Sequence, residues 1–521
     1  MSKPINVSTY TFSDLIKGSF VYVDKTRYLY DLVRLPKGYY FISRPRRFGK
    51  SLMVSTLAEL FKGNRALFQN LWIGNSDYDW QSYPVVRIDF SLDSVHTVAE
   101  TELAIDTFLR KIAETNEIEL DGANYKARFR HLVEQLAEKY NKKVVLLIDE
   151  YDKPITDNLS NIDEARRIRN ALRGFYGVVK GMDAYWHFVM ITGISKFSKV
   201  GIFSMMNNLE DITMDPKYAS MLGLTDAELQ QNFQAHIDAF AAKDGMSSEE
   251  MLAKIRRWYD GFRFSSSSER VYNPLSTMTA LKQQRFANFW FSTGTPTFLI
   301  NLLQENQYNI QAIEEITLDE LAFSTYEITD LGIETLLFQT GYLTISDYTH
   351  EGDFEIFHLA YPNLEVKNAF VTFLLNAYSG TVNKLTAGHL HRLIRALETQ
   401  NVDQFFELLN VFFAQIHYEL HLKYEKFYQA IFYMIFVLLG VRVDAEVKTN
   451  DGRIDAVIEL DDHIYIFEFK LDKDADTALQ QSIDKAYAQK YQLHGKPITL
   501  VGVNFDTSKR KLTDWKHVPK A

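Results

Sequence analysis

The chain has 521 residues, more than one hydrophobic core can organise, so about three domains are expected. It is 46% hydrophobic and 24% charged, and it has no cysteine, which excludes disulfides, thiolate zinc sites and cysteine nucleophiles. The net charge of -10 argues against a large non-specific DNA-binding surface, although it is compatible with a local basic groove.

The chain shows no targeting or membrane signal. The N-terminal segment, MSKPINVSTYTF, lacks the apolar core of a signal peptide. The most apolar stretch, residues 427–439, is shorter than the roughly 20 residues that span a bilayer, so it predicts a buried helix. We expect a cytoplasmic protein without a membrane segment.

Residues 1–214 alternate between apolar runs and helical segments. The predicted elements are strands at 38–43, 84–91, 142–150 and 186–193, and a helix at 51–61. This alternation predicts an α/β domain with a parallel sheet, in which the chemistry lies at the carboxyl ends of the strands.

The first predicted strand leads into RPRRFGKS, residues 44–51, whose end matches the phosphate-loop pattern G-x-x-x-x-G-K-[ST]. Gly49 lets the backbone approach phosphate, Lys50 can reach the β- and γ-phosphates, and Ser51 can ligate Mg²⁺. The position between a strand and a helix is the context that the pattern requires. The sequence therefore predicts a P-loop that binds a nucleotide.

Three arginines distinguish this loop from the general pattern. Arg44 occupies the place of the first glycine, which restricts the loop entry without removing the phosphate contacts. Arg46 and Arg47 would add positive charge beside the phosphates or contact a neighbouring molecule.

The strand predicted at 142–150 ends in two acids, Asp149 and Glu150. In an ATPase, Asp149 would hold Mg²⁺ through water and Glu150 would polarise the attacking water. A buried strand that merely ends at the surface explains one acid, but not two acids that follow a GKS segment in this order. These residues therefore predict an ATP and Mg²⁺ site.

Two further residues allow two interpretations each. Thr192, at the end of the strand 186–193, is either a sensor of the γ-phosphate or a capping threonine before Gly193. Arg173 is either an arginine finger or a solvated helix arginine. A finger acting in trans would require a homo-oligomer.

The rest of the chain divides into two parts. Residues 215–414 are rich in helical and aromatic patterns and predict a helical lid or relay region. Residues 415–521 predict a second α/β domain with the order αβββαβ. Its predicted elements are a helix at 424–440, strands at 441–450, 453–460 and 463–471, a helix near 475–493 and a strand at 497–505.

Two carboxylates and a lysine stand out on the C-terminal strands. Asp455 lies on one strand and Glu468 on the next, and Lys470 shares a strand face with Glu468. Such groups on a buried face are costly unless they are paired or bind something. Two carboxylates beside a lysine suit Mg²⁺, which can activate water for phosphodiester cleavage. The alternative is a solvated β-meander with a Glu–Lys ion pair.

Several segments resemble the AAA-ATPase-like family: VYVDKTRYLYDL, FISRPRRFGKSLMVSTLAELFKG, LLIDEYDKPI, ITGISKFSKVGIFSMMNNLEDIT, WYDGFRF, VYNPLS and FWFSTGTPTFLI. The resemblance implies that the arginine-rich loop is a family trait. It also implies an adenine contact near Tyr22–Thr26. The residues that match the Walker A and Walker B positions are Lys50, Ser51, Asp149 and Glu150.

The C-terminal carboxylates and lysine resemble the site of the PD-(D/E)XK nuclease superfamily. Proteins of the AAA-ATPase-like family typically end in a domain of this superfamily. The resemblance assigns Asp455 as the first acid, Glu468 and Lys470 as the E-x-K pair, and Glu425 as an additional acid on the preceding helix. All three acids would ligate the metal.

Two further polar residues fit this resemblance, and one residue differs from the usual pattern. Gln481 and Tyr487 occupy the helix that often carries polar partners of the site. Ile454 stands where a proline usually precedes the first acid, which leaves the ligands intact.

Two functions follow from these patterns. The first is an ATP-hydrolysing protein with an Mg²⁺-dependent nuclease domain, in which the ATP state controls cleavage of DNA or RNA. The alternative is a regulatory or sensor ATPase whose C-terminal domain binds nucleic acid or a partner without cleaving it. The net charge of -10 modestly favours the alternative.

Overall fold

A computed structural model gives the fold. It describes residues 2–196, 206, 208–266, 268–293, 297–306, 308–319, 322–323, 332–352, 354–379, 387–414, 425–438, 442–449, 452–509 and 511–520. The backbone alone is described at 292–293, 297, 311–312, 379, 387, 425–429, 442–449, 452–454, 490, 493 and 520.

The N-terminal sheet is parallel throughout, as the sequence predicts. Its order is β2-β3-β4-β1-β5, so β4 separates the strand that enters the loop from the strand that carries the two acids. Every residue of β1 and β3 is buried, which is typical of parallel strands covered on both faces. The strands are β1 (Gly38–Ser43), β2 (Val85–Asp89), β3 (Val144–Asp149), β4 (Trp186–Gly193) and β5 (Glu210–Asp211).

Helices precede, connect and follow these strands. The helix after β1 starts one residue before its predicted start, because Gly49 rather than Lys50 is its N-cap. The N-terminal helices are α1 (Phe12–Lys17), α2 (Thr26–Val33), α3 (Lys50–Phe61), α4 (Val98–Thr115), α5 (Tyr125–Tyr140), α6 (Lys153–Thr156) and α7 (Ile162–Gly181).

The middle of the chain is largely helical, as predicted, but it also contains a sheet that the sequence analysis did not predict. This antiparallel sheet has the order β6-β8-β7, with β6 (Thr317–Asp319), β7 (Thr344–Glu351) and β8 (Phe354–Ala360). The helices are α8 (Asp226–Asp244), α9 (Ser248–Tyr259), α10 (Pro274–Gln283), α11 (Thr297–Glu305), α12 (Ile333–Thr340), α13 (Leu364–Ser379), α14 (Ala387–Glu398) and α15 (Val402–Phe413).

The C-terminal part contains a five-stranded sheet of order β13-β12-β11-β10-β9. The predicted order of helix, three strands, helix and strand is present, and β13 follows it as an additional strand. The predicted helix near 475–493 is divided, since Ala486 has a φ of +47° and a short 3₁₀ helix follows at Tyr487–His494. The elements are α16 (Glu425–Leu438), β9 (Arg442–Thr449), β10 (Gly452–Glu459), β11 (Ile464–Leu471), α17 (Ala475–Asp484), β12 (Ile498–Asp506) and β13 (Lys511–Lys520).

The chain packs into two compact units. Unit 1 comprises Met1–Thr293 and Glu315–Val366, and unit 2 comprises Gly294–Glu314 and Lys367–Ala521. The division at residues 214 and 414 stays a prediction. Within the part of the chain that the structure describes, no helix is both long and apolar enough to cross a membrane.

Candidate functional site

The predicted phosphate loop lies in unit 1, between the end of β1 at Ser43 and the start of α3 at Lys50. Gly49 has a φ of +93° and Arg47 a φ of +69°, both in the left-handed region. Alternation of left- and right-handed residues directs successive N–H groups to one side, an arrangement that binds anions. The loop and the N-terminus of α3 can therefore supply N–H groups to phosphate.

Lys50 is buried against this loop. Its Nζ donates to the carbonyl oxygens of Arg44 at 2.9 Å and Pro45 at 3.1 Å. Burial lowers the pKa of Lys50, while the charges of Glu150 and Asp149 act in the opposite direction. Lys50 follows β1 and Asp149 ends β3, so the ammonium and the acids lie at the same edge of one parallel sheet.

Asp149 ends β3 and is fully buried. Its Oδ1 accepts a hydrogen bond of 2.5 Å from the hydroxyl of Thr192 on the neighbouring strand β4. Its buried Oδ2 has no hydrogen-bond partner among the described residues. A carboxylate oxygen of this kind fits Mg²⁺ or a water bound to Mg²⁺.

Glu150 follows with a φ of +53°, so the chain leaves the strand direction at this residue. Burial raises the pKa of Glu150, and the negative charges of Asp152 and Asp149 raise it further, while Lys50 lowers it. A carboxylate whose pKa is raised toward neutrality is better suited to accept a proton from water.

Asp152 is a buried acid that the sequence analysis missed. It accepts hydrogen bonds from the N–H of Ser195 at 2.7 Å, the hydroxyl of Ser195 at 2.6 Å and the N–H of Ile194 at 3.1 Å. Burial raises the pKa of Asp152, and these donors oppose the rise. Asp152 therefore joins the segment after β3 to the segment after β4; its signal was the third acid of DEYD.

The second candidate site lies in unit 2, on β10 and β11. The antiparallel ladder pairs Ala456 with Phe467, and the next step of the same register places Asp455 opposite Glu468. Opposite residues of neighbouring strands share a face. Lys470 also lies on this face, since its Nζ donates to Glu468 Oε1 at 3.0 Å. The three predicted residues are therefore brought together, with Glu468 only 1% exposed.

Hydrogen bonds orient both carboxylates of this site. Asp455 Oδ2 accepts from the N–H of Phe469 at 2.7 Å. Gln481, predicted as a polar partner, donates from Nε2 to Glu468 Oε1. Tyr487 is fully buried in a hydrophobic cluster that also contains Leu479 and Ile464.

The donor chemistry at this site fits a hard cation. Two carboxylates on one face, with a lysine beside them, are ligands of the type that Mg²⁺ prefers. Among the described residues, no three His, Cys, Asp or Glu side chains form a metal-binding group. Glu425, the third predicted ligand, begins α16, and its side chain lies outside the described residues.

Comparison with known proteins matches the N-terminal and C-terminal parts of the chain to two families. Residues 4–203 match the family described as predicted AAA-ATPase, and residues 423–515 match the PD-(D/E)XK nuclease superfamily. The chain is 38% identical over 522 residues to the "Uncharacterized protein in vnfD 5'region" of Azotobacter chroococcum mcd 1, an alignment that covers 98% of each chain. The chain belongs to the AAA-ATPase-like family. Its C-terminal part belongs to the PD-(D/E)XK nuclease superfamily.

In this AAA-ATPase-like protein, the structure places the remaining predicted residues as follows. Arg46 and Arg47 are exposed in the loop, and Ser51 is partly exposed in the first turn of α3. Thr192 is buried and contacts Asp149 rather than solvent. Arg173 is exposed on α7. Phosphate contacts by these residues, and the arginine finger, stay predictions.

The segment Tyr22–Thr26, predicted to contact adenine, ties the N-terminus to two helices. Tyr22 is partly buried and packs edge-on against Phe12 of α1, with a centroid distance of 5.2 Å. Lys25 Nζ donates to Glu228 of α8 at 2.7 Å. These contacts give the segment a structural role, and the adenine contact stays a prediction.

The residue that replaces the first glycine of the AAA-ATPase-like loop is an anchor. Arg44 is 1% exposed; its Nη1 donates to the carbonyl of Thr213 at 2.7 Å, and its guanidinium lies 4.2 Å from the ring centroid of Phe264. Phe48 packs edge-on against Phe262 and Phe264, at centroid distances of 4.8 and 5.3 Å. Side chains therefore fix the loop entry, where other P-loops rely on glycine.

Glu365 is a second buried acid that the sequence analysis missed, because YPNLEVKN reads as an ordinary helix start. It is fully buried in the first turn of α13. Burial raises the pKa of Glu365 from 4.5 to about 7, against the lowering effect of hydrogen bonds from Trp290, Ser276 and Phe289.

The raised pKa of Glu365 predicts that the stability of the folded protein depends on pH. Between about pH 4.5 and about pH 7, Glu365 is protonated in the folded protein and ionised in the unfolded chain, so stability falls as pH rises, by up to about 3 kcal/mol. We expect Glu365→Gln to flatten the pH dependence of the unfolding temperature over this interval, and Glu249→Gln on the exposed face of α9 to leave it unchanged. Parallel curves for wild type and Glu365→Gln would contradict the assignment.

Proposed function

We propose that unit 1 binds and hydrolyses ATP at the loop formed by residues 44–51. The observation that carries this proposal is that the loop, Lys50 and the acids at the end of β3 lie at one edge of the parallel sheet. Lys50 and the loop N–H groups would bind the β- and γ-phosphates, and Glu150 would accept the proton of the attacking water. Ser51 and Asp149 would hold Mg²⁺, which neutralises charge that develops on the phosphates.

We propose that unit 2 cleaves phosphodiester bonds at Asp455, Glu468 and Lys470. The order of helix, three antiparallel strands, helix and strand supports a restriction-endonuclease-like fold for residues 425–506. The carboxylates would hold Mg²⁺, which lowers the pKa of a bound water. Lys470, already bonded to Glu468, would stabilise negative charge on the scissile phosphate.

We further propose that the ATP state of unit 1 controls cleavage by unit 2. Control requires that ATP binds two conformations of the protein with different affinities. The test is cleavage of labelled single- and double-stranded DNA and RNA at matched free Mg²⁺, with and without ATP. Faster cleavage with ATP is expected, and equal rates would overturn the control.

A regulatory ATPase with a binding-only unit 2 is the second candidate, and the net charge of -10 favours it. It predicts ATP binding, and binding of nucleic acid or of a partner protein, without cleavage at any Mg²⁺ or Mn²⁺ concentration. The same substrate panel therefore separates the two functions.

The nucleotide site has its own test. Lys50→Ala removes the ammonium expected at the phosphates, and we expect ATP affinity to fall about 10- to 100-fold, as for loss of a charged hydrogen bond. The matched control is Lys62→Ala, since Lys62 follows α3 and its side chain is 52% exposed. Isothermal titration with ATP measures both variants. Equal affinities in wild type and Lys50→Ala would show that the site is misplaced.

A further inference from the structure

Glu365 holds together two segments of unit 1 that are distant in sequence. Its Oε1 accepts hydrogen bonds from the N–H groups of Phe289 at 2.6 Å and Trp290 at 2.8 Å. It also accepts one from the hydroxyl of Ser276 at 3.1 Å. A single buried oxygen therefore fixes the backbone at Trp290.

Trp290 in turn contacts the phosphate loop. Its indole N–H donates to the carbonyl of Arg46 at 3.1 Å, and the side-chain amide of Asn273 donates to the same oxygen at 3.3 Å. The indole ring also packs against Tyr342, with a centroid distance of 5.4 Å. The loop carbonyl is thus held by donors that belong to the middle of the chain.

Holding this carbonyl determines the direction of the next N–H group. In a trans peptide the C=O of Arg46 and the N–H of Arg47 lie in one plane and point in opposite directions. Bonds from Trp290 and Asn273 on the carbonyl side therefore keep the Arg47 N–H pointing away from them. Loop N–H groups are the groups that bind phosphate in a P-loop.

The same contacts lie beside the places where the chain leaves unit 1. Trp290 precedes the first exit, after Thr293, by three residues, and Glu365 precedes the exit after Val366 by one residue. Glu365 also stands in the first turn of α13, which continues to Ser379 in unit 2. The residues that hold the loop carbonyl and the Trp290 backbone therefore lie next to both exits.

We propose that Trp290 and Glu365 are positioning residues of the phosphate loop, which orient the peptide between Arg46 and Arg47 for ATP. Through the same contacts, binding of ATP changes the structure at both places where the chain leaves unit 1. The proposal rests on ATP binding at this loop. Because coupling is reciprocal, ATP must stabilise the bonds to Glu365 by as much as these bonds stabilise ATP.

The first test is Trp290→Phe, which removes the indole N–H and keeps an aromatic ring. We expect ATP affinity to fall about five-fold, as for one neutral hydrogen bond. Trp258→Phe is the control: Trp258 lies on α9 and packs against Phe286. Full-length protein is used throughout, and the unfolding temperature is measured without ATP.

The second readout is the effect of ATP on hydrogen exchange. If Trp290 had only a structural role, Trp290→Phe would not change this effect. ATP is expected to slow exchange of the Phe289 N–H in wild type and in Trp258→Phe, but not in Trp290→Phe. Glu365→Gln, which keeps an accepting oxygen, should retain this protection, and Glu365→Ala should lose it. If Glu365→Ala does not fold, Trp290→Phe alone decides.

The outcomes separate this proposal from ATP binding itself. If wild type binds ATP, Lys50→Ala does not, and Trp290→Phe matches wild type in affinity and in protection, the positioning role is overturned while the ATP site stands. If wild type and Lys50→Ala do not differ, the ATP site itself is wrong and the positioning role fails with it.

Discussion

Lys470→Ala is expected to lower phosphodiester cleavage about 100- to 1,000-fold, the loss typical of removing one group that stabilises transition-state charge. Lys470 Nζ lies 3.0 Å from Glu468 Oε1, and its side chain is 14% exposed, so the ammonium is held at the site rather than in solvent. Within β11, Lys470 is the one lysine.

Glu468→Gln tests the same site by a different route. It keeps the size of the side chain and an oxygen for Gln481, but it removes the charge that would bind the metal and that pairs with Lys470. We expect a similar loss of cleavage. The unfolding temperature must be measured as well, since breaking a buried ion pair costs about 3 to 5 kcal/mol.

Matched controls come from the same sheet. Lys473 is exposed after β11, and Glu459 lies at the far end of β10, where it pairs with Lys496 at 3.0 Å. Lys473→Ala and Glu459→Gln should cleave like wild type in the panel of labelled DNA and RNA. Retained cleavage in both Lys470→Ala and Glu468→Gln would place the nuclease activity elsewhere or in a contaminant.

The strands that carry the candidate nucleotide site could be predicted from the sequence for a simple reason. The runs that form β1, β3 and β4 are largely apolar, bounded by polar or turn-forming residues, and buried over nearly their whole length. The acids at the end of β3 also stand out, because two of them follow one another and come after a GKS segment.

Other features depend on contacts that no local pattern encodes. The segment TISDYTHE forms β7, but its mixture of polar and aromatic residues predicts neither a strand nor a helix clearly. The sequence shows that Arg44 restricts the loop entry, but not that its guanidinium is buried against Phe264. The role of Glu365 depends on Trp290, which lies 75 residues earlier in the chain.

Strand order is another feature that the sequence leaves open. Alternating strands and helices predict a parallel sheet but not that β4 lies between β1 and β3. This order brings Thr192 beside Asp149, a contact with a residue 43 positions away. The sequence analysis named both residues but could not connect them.

Glu150→Gln is expected to lower ATP hydrolysis about 100-fold or more while ATP binding remains, since general-base catalysis contributes about 10² to 10⁴. The amide has the shape of the carboxylate but cannot accept a proton. Phosphate release and ATP titration are the two measurements, and Glu138→Gln on the exposed face of α5 is the control. Equal turnover in both variants would exclude Glu150 as the base.

The pH dependence of hydrolysis gives an independent check. Because Glu150 must be ionised to act, the rate should rise as pH increases through its pKa, and burial places that pKa above the ordinary value of 4.5. The hydrolysis rate of Glu150→Gln should not show this rise with pH. If the wild-type rate does not show the rise either, another group accepts the proton.

The Glu150→Gln variant also separates ATP binding from ATP turnover in the control of cleavage. If bound ATP alone prepares unit 2, this variant should cleave nucleic acid with ATP at least as fast as wild type, because the ATP-bound form persists. If each cycle of hydrolysis is needed, cleavage should fall with the hydrolysis rate. A ligand shifts an equilibrium only through its different affinity for two states, so the first result would identify ATP itself as the switch.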